Sequence, residues 1–191
     1  MRILQSRTFG ALAGVVGWSA TEYALHRVAL HEKRGPAAAS AKHFDHHADM
    51  ASFAPIPRKI AAAAATAAVM YPLTARPTTR RWAGAFTTGF IGMYFGYEVA
   101  HRRIHAAAPR TRYGRWARRH HLHHHFGAPQ SNFGVTTPIG DVLLGSREVP
   151  TVVSVPRRKA PAWLLDASGS VRPEFAADYQ LRARGYSYIA P

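Results

Sequence analysis

Three stretches of the chain are apolar. Residues 9–25 follow Arg2 and Arg7, residues 60–73 are rich in alanine and interrupted by Pro72, and residues 82–100 mix aromatic residues with glycine and threonine. Each predicts a helix, and each is near or just under the roughly 20 apolar residues that span a bilayer. Their small-residue content suits close helix packing in lipid, which favours membrane helices over the core helices of a soluble domain. A signal peptide is the rival for the first stretch, but no small-x-small cleavage site follows it. With all three spanning, Arg2, Arg7, Arg76, Arg80 and Arg81 fall on one side, 5 of the 25 basic residues. The other side holds the remaining basic residues and all 12 histidines. The excess of positive charge assigns that side to the cytoplasm. Arg76, Arg80 and Arg81 fit this poorly, and an interfacial hairpin over 60–100 would relieve the conflict. Beyond residue 147 the pattern becomes polar and rich in Pro and Arg, which reads as a tail (148–191) with a short helix over 173–184 and no chemistry of its own.

The 191 residues set a single domain as the default. The absence of cysteine excludes a disulfide scaffold, thiolate zinc or iron–sulfur sites and a Cys nucleophile. The net charge of +15 calls for an anionic partner or surface. Arg110, Arg112, Arg115, Arg118 and Arg119, interleaved with Tyr113 and Trp116, suit a membrane headgroup layer better than nucleic acid.

The histidines are not scattered. They fall in four short windows: His26 with His31, His43 with His46 and His47, His101 with His105, and His120, His121, His123, His124 and His125. On a helix, His43, His46 and His47 share a face, as do His121, His124 and His125, and His101 with His105. His26 and His31 are about 140° apart on an ideal α-helix, so one of them is expected beyond a helix end. Neutral imidazole is a common ligand for iron, zinc, copper and nickel. Ten converging histidines (26, 31, 43, 46, 47, 101, 105, 121, 124, 125) are too many for one ion and fit two ions with about five each. His120 and His123 are alternative ligands lying off the shared face. Glu22, four residues before His26, and Glu98, three before His101, are expected to orient ligand rings from the second layer. Asp45 is a weaker candidate for that role.

The segments EYALHRVALH (22–31), KHFDHHADM (42–50), YEVAHRRIH (97–105), HHLHHHF (120–126) and NFGVTTPIGDVLLGS (132–146) resemble the membrane fatty acid hydroxylase/sterol desaturase superfamily, over roughly residues 20–147. The resemblance implies an all-α fold of membrane helical hairpins, with a cytosolic helical cap carrying a histidine-ligated dimetal centre. It implies the ten histidines as ligands and Glu98 as the acidic residue before the third box. It also implies one domain over 1–147, integral in the membrane, with the histidine-bearing face cytoplasmic. The implied activity is O2-dependent hydroxylation, or desaturation, of a fatty acyl chain or sterol in lipid biosynthesis. Two metal ions serve it, iron first and zinc as the alternative, with O2 as co-substrate. Lacking a dinucleotide fingerprint, the chain needs an external electron donor, ferredoxin-like or cytochrome b5-like. The partners are then a membrane lipid and that donor, with no nucleic acid. Gly140 departs from the pattern, standing where the family often has Trp before the aspartate, here Asp141. A carotenoid hydroxylase is the enzymatic alternative, and a non-catalytic metal-binding membrane protein is the alternative of another class.

Overall fold

A computed structural model describes residues 6–33 and 35–183; Arg2 and Arg184 lie outside them. Six α-helices carry most of the chain: α1 (Arg7–Ala24), α2 (Ala37–Ala48), α3 (Ile56–Ala75), α4 (Arg80–Ala106), α5 (Arg112–Phe126) and α6 (Ile139–Leu143). A π-helix, Leu25–His31, continues α1 without a break. Hydroxyl caps start three of the helices. Ser6, Thr79 and Thr111 accept from the N–H groups of Phe9, Trp82 and Gly114, each satisfying one of the donors that a helix start leaves open. α3 runs through Pro72 to Ala75. The proline sits in the last turn, where it costs the ladder only its own missing N–H.

The predicted apolar stretches lie within α1, α3 and α4. Helices α1 and α4 pack in parallel, with Gly14 against the Phe86 carbonyl, a spot no side chain could occupy. Trp18 follows against Phe90, Tyr94 and Tyr97. α3 returns antiparallel to α4, so that Lys59, near its start, ion-pairs with Glu98, near the end of α4. The end of α1, α2, the end of α4 and α5 therefore gather at one end of the three long helices. Among the described residues no helix is long and apolar enough to cross a membrane. The three expected spans thus lack the required hydropathy, because Ala, Gly, Thr and Tyr fill positions that spanning helices give to larger aliphatic residues.

The C-terminal segment departs from expectation. In place of a helix over 173–184 there is a 3-10 turn at Pro173–Phe175 and a strand, β2 (Tyr179–Arg182). β2 pairs in parallel with β1 (Val153–Pro156), Val153 opposite Tyr179. The fold is mostly helical with a small sheet rather than all-α. Val153, Val155, Trp163, Leu164, Phe175 and Tyr179 form a core with Leu122 and Phe126 of α5. These apolar residues are too irregularly spaced to show a period, which is why the segment reads as a polar tail. The basic run of α5 also turns inward. Arg118 donates to the carbonyls of Ala107, Gly114 and Arg103. Arg115 and Arg119 reach the C-terminal segment through the Glu174 and Pro150 carbonyls and the Asp178 carboxylate. Three of the five arginines thus hold the fold together rather than face headgroups.

Candidate metal centre

The gathered end brings all ten expected histidines into two adjoining groups. Group one is His26, His31, His43, His47 and His124; group two is His46, His101, His105, His121 and His125. Within each group the candidate ligand nitrogens all lie within 4.8 Å of one another. The two H-x-x-H-H windows divide in the same way. The first and last histidines, one helical turn apart, serve one group, and the middle one turns to the other. His47 of group one stacks on His125 of group two at a ring-centroid distance of 4.2 Å.

The π-helix explains the first window. Its hydrogen bonds close on the fifth residue, as from Glu32 N–H to the Arg27 carbonyl at 2.9 Å. Residues five apart then lie nearly one above the other. His26 and His31 accordingly face the same group, with ring centroids 5.1 Å apart. The expectation that one of them lies beyond a helix end rests on α-helical geometry and fails for that reason.

Hydrogen bonding alone does not account for the contacts between the rings. A neutral imidazole nitrogen either donates one proton or accepts at one lone pair. Yet His121 Nε2 lies 2.9 Å from His101 Nε2 and 3.0 Å from both His105 Nε2 and His125 Nε2. His43 Nε2 likewise lies 3.2, 2.8 and 3.0 Å from Nε2 of His26, His31 and His47. Lone pairs aimed at a common point repel unless a cation stands there. The spacing is also informative: at a metal–nitrogen distance of about 2.1 Å, ligands at right angles are about 3.0 Å apart and tetrahedral ligands about 3.4 Å. The donor sets therefore fit a metal with five or six ligands. Burial holds all ten imidazoles neutral, as metal ligands must be: His26 and His46 are pushed down to about 4, His31 to about 3, and the rest below their usual value.

The loop after α5 fixes ring orientation in group one. His26 Nδ1 donates to the Phe133 carbonyl at 2.5 Å, and His124 Nδ1 to the Ser131 carbonyl at 2.7 Å. That leaves Nε2 unprotonated in both. Two buried carboxylates hold the loop. Asp141 accepts from the N–H groups of Phe133 and Gly134 and from the Ser146 hydroxyl. Glu22 accepts from the N–H groups of Val135 and Thr136 and the Thr136 hydroxyl. Burial pushes the Asp141 carboxyl up, but these donors and His120 outweigh it and leave it below the usual carboxylate range. In group two, Nδ1 of His46, His105, His121 and His125 meets no hydrogen-bond partner among the described residues.

Neither glutamate orients a histidine directly, as expected of them. Glu22 acts on the loop, and Glu98 pairs with Lys59; their spacing along a helix turned each carboxylate away from the ring one turn on. Asp45 is exposed beside Lys42. His120 and His123, the alternative ligands, lie outside both groups. His120 Nε2 is 3.3 Å from Asp141, and His123 Nε2 is 2.9 Å from Glu148. Gly140 packs on the Tyr23 ring, which fills the space a larger side chain would need.

Phe53, in the connection between α2 and α3, was not visible as a site residue from sequence. Its ring lies 4.8 Å from that of His46 and 5.4 Å from that of His101. A cavity of about 290 Å³ beside it reaches His43, His46 and His101, so it touches both groups, and Leu30, Ala62, Tyr94 and Tyr97 form much of its wall.

A sequence model of the fatty acid hydroxylase family matches residues 11–146. The dihydroceramide fatty acyl 2-hydroxylases FAH1 and FAH2 of Arabidopsis thaliana are 29% and 27% identical to the chain, over 78% and 70% of it. A solved structure described as full-length scs7p, with only the hydroxylase domain visible, superimposes with a TM-score of 0.59 at 25% identity, covering 76% of this chain and 58% of that one. The chain spans about three-fifths of the length of these relatives: 61% of FAH1 and 58% of FAH2. With the family match covering well over half of the sequence and ending just past the carboxylate-held loop, the chain belongs to the fatty acid hydroxylase family.

Proposed function

We propose that the protein is an O2-dependent lipid hydroxylase, integral to or seated on a membrane, which oxidises a C–H bond of a fatty acyl chain. The observation that carries this reading is the convergence of ten neutral imidazoles into two adjoining five-nitrogen groups. His26, His31, His43, His47 and His124 would hold one metal ion, and His46, His101, His105, His121 and His125 the other. Two iron ions, or zinc in a non-redox preparation, suit imidazole donors. When bound, iron supplies reductive activation of O2 and the power to oxidise an unactivated C–H bond. Overall, one C–H bond and O2 are consumed with two electrons and two protons, giving an alcohol and water. The electrons come from outside the chain, through a ferredoxin-like or cytochrome b5-like donor.

The chain's own residues do the rest. Phe133 and Ser131 carbonyls keep His26 and His124 aimed, with Asp141 and Glu22 fixing those carbonyls through the loop. Leu30, Ala62 and Phe53 give the cavity an apolar wall for an acyl chain and exclude water from its inner end. Exposed Phe9, Leu12 and Val16 on α1, Ile60, Val69 and Leu73 on α3, and Phe95 and Val99 on α4 give the long helices an outward apolar surface. That surface supports membrane residence with the histidine-bearing end in the cytoplasm. The relatives named as fatty acyl 2-hydroxylases favour an acyl chain over a carotenoid, the carbon next to the acyl carbonyl over more distant ones, and hydroxylation over desaturation.

The test combines two measurements. Protein purified in detergent should contain two metal ions per chain, and a His121→Ala variant should lose the group-two ion. Lipids of a host expressing the wild-type chain with an electron donor should gain 2-hydroxy acyl species that the variant host lacks. Two bound metals with an unchanged lipid profile would leave a metal-binding protein without catalysis, and no bound metal would remove the basis of the reading.

A further inference from the structure

A second and larger cavity, of about 610 Å³, lies at the C-terminal ends of α2 and α4. It reaches His105 of group two, while the smaller cavity reaches His46 and His101 of the same group, and Phe53 lines both. The two differ in character. The smaller one runs along α3 and α4 among apolar and tyrosine side chains. The larger one is walled by Arg102, Arg158 and Lys159 against a single carboxylate, Asp49. Two of these cations are held in place. Arg102 donates to the Ala54 carbonyl at 3.2 Å and lies over the Phe53 ring, and Lys159 donates to the His47 carbonyl at 3.3 Å. Arg158 is exposed. Arg158 and Lys159 belong to the segment beyond residue 146, outside the family match, so the cationic wall is a property of this chain rather than of the family pattern.

We infer that the larger cavity is the head-group site for an acyl lipid whose head carries a phosphate or carboxylate, its acyl chain lying in the smaller cavity. A lipid so placed crosses group two beside Phe53, which brings the carbons next to the head group, rather than the chain end, to His46, His101 and His105. A cavity of this size accommodates a polar head. Guanidinium and ammonium groups with few competing carboxylates select anionic oxygens over neutral hydroxyls. The inference rests on the lipid-hydroxylase reading above for the identity of the chain-bearing cavity, but the head-group site is tested without turnover.

The full-length protein in a neutral detergent is titrated by calorimetry with dihexanoyl phosphatidic acid, dihexanoylglycerol and inorganic phosphate. Phosphatidic acid is expected to bind at least about tenfold more tightly than either of the others. Arg158→Gln should weaken it about threefold to tenfold and leave dihexanoylglycerol unaffected. Ala51→Trp, which fills the cavity without changing its charge, should abolish binding while the metal content stays that of wild type. Equal affinity for the uncharged glycerolipid overturns the inference, as does phosphate alone binding as tightly as the lipid, which would make this a small-anion site. Insensitivity to both substitutions overturns it too. Product analysis separates the two levels. Hydroxylation of uncharged acyl lipids alone would remove the anionic head group and keep the hydroxylase, whereas tight phosphatidic acid binding with no hydroxylated lipid in the host would do the reverse.

Discussion

At the scale of single residues, the centre depends on groups that never touch a metal ligand's nitrogen. Asp141 is the clearest. It is wholly buried, and its charge is balanced by donors from Phe133, Gly134, Ser146 and His120 rather than by a Lys or Arg. Asp141→Asn keeps the shape but replaces one acceptor oxygen with a donor facing N–H groups. A loss of about 1–3 kcal/mol of stability in urea unfolding is expected, from buried donors left unpaired. Group one should lose metal affinity before group two, because only His26 and His124 lean on this loop. Elemental analysis after limited chelation, compared with wild type, measures that order. The identity of the histidines was readable from their windows, since imidazoles clustered at helical spacing have few other uses. The true role of Glu22 was not. Its offset from His26 suggested a direct contact, whereas its partners are 113 and 114 residues away, a pairing that no local pattern encodes.

At the scale of elements, the π-helix and α2 decide which histidine serves which group. Deleting Ala29 from the π segment would let it relax toward an α-helix with His26 and His31 four residues apart. The two rings would still share a face, but every residue from His31 onward would be rotated by about 100° against the rest of the fold. Loss of the group-one ion with retention of group two is the expected result, read by metal stoichiometry. Substituting Ala29 by Gly tests whether composition alone matters; it should keep both ions. The long helices were legible because their apolar runs exceed any strand length, and so was their placing of the histidine windows at one end. Membrane-spanning hydropathy was overestimated by counting alanine and glycine as strongly apolar. The β1–β2 pair escaped notice because each strand is 4 residues long and its partner lies beyond two 3-10 turns. The inward turn of the α5 arginines was hidden for a related reason: a charge run looks solvated until a folded segment is known to cover it.

At the scale of the whole molecule, the ten buried imidazoles link folding to acidity. Each has a folded-state pKa below its unfolded value, so the unfolded chain binds more protons as acid is added. The corresponding stability is fully present above the unfolded value near 6.5 and is lost as pH falls through the folded values, about 4 for His26 and His46 and about 3 for His31. Metal-free protein in detergent should therefore show a melting temperature that declines steadily from pH 7 to pH 4. Metal-loaded protein should resist until protons displace the ions, and a flat profile for the metal-free form would contradict the burial of these rings. The crossing of α2 and α5, each giving two histidines to one group and one to the other, has a consequence for how the protein is loaded. Ordering either helix around a first ion sets the side chains that await the second, so uptake should be steep and all-or-none. A preparation given half its metal would then be a mixture of fully charged and empty molecules, distinguishable by native mass spectrometry, and a mutation confined to one half would be felt as scarcity in the other.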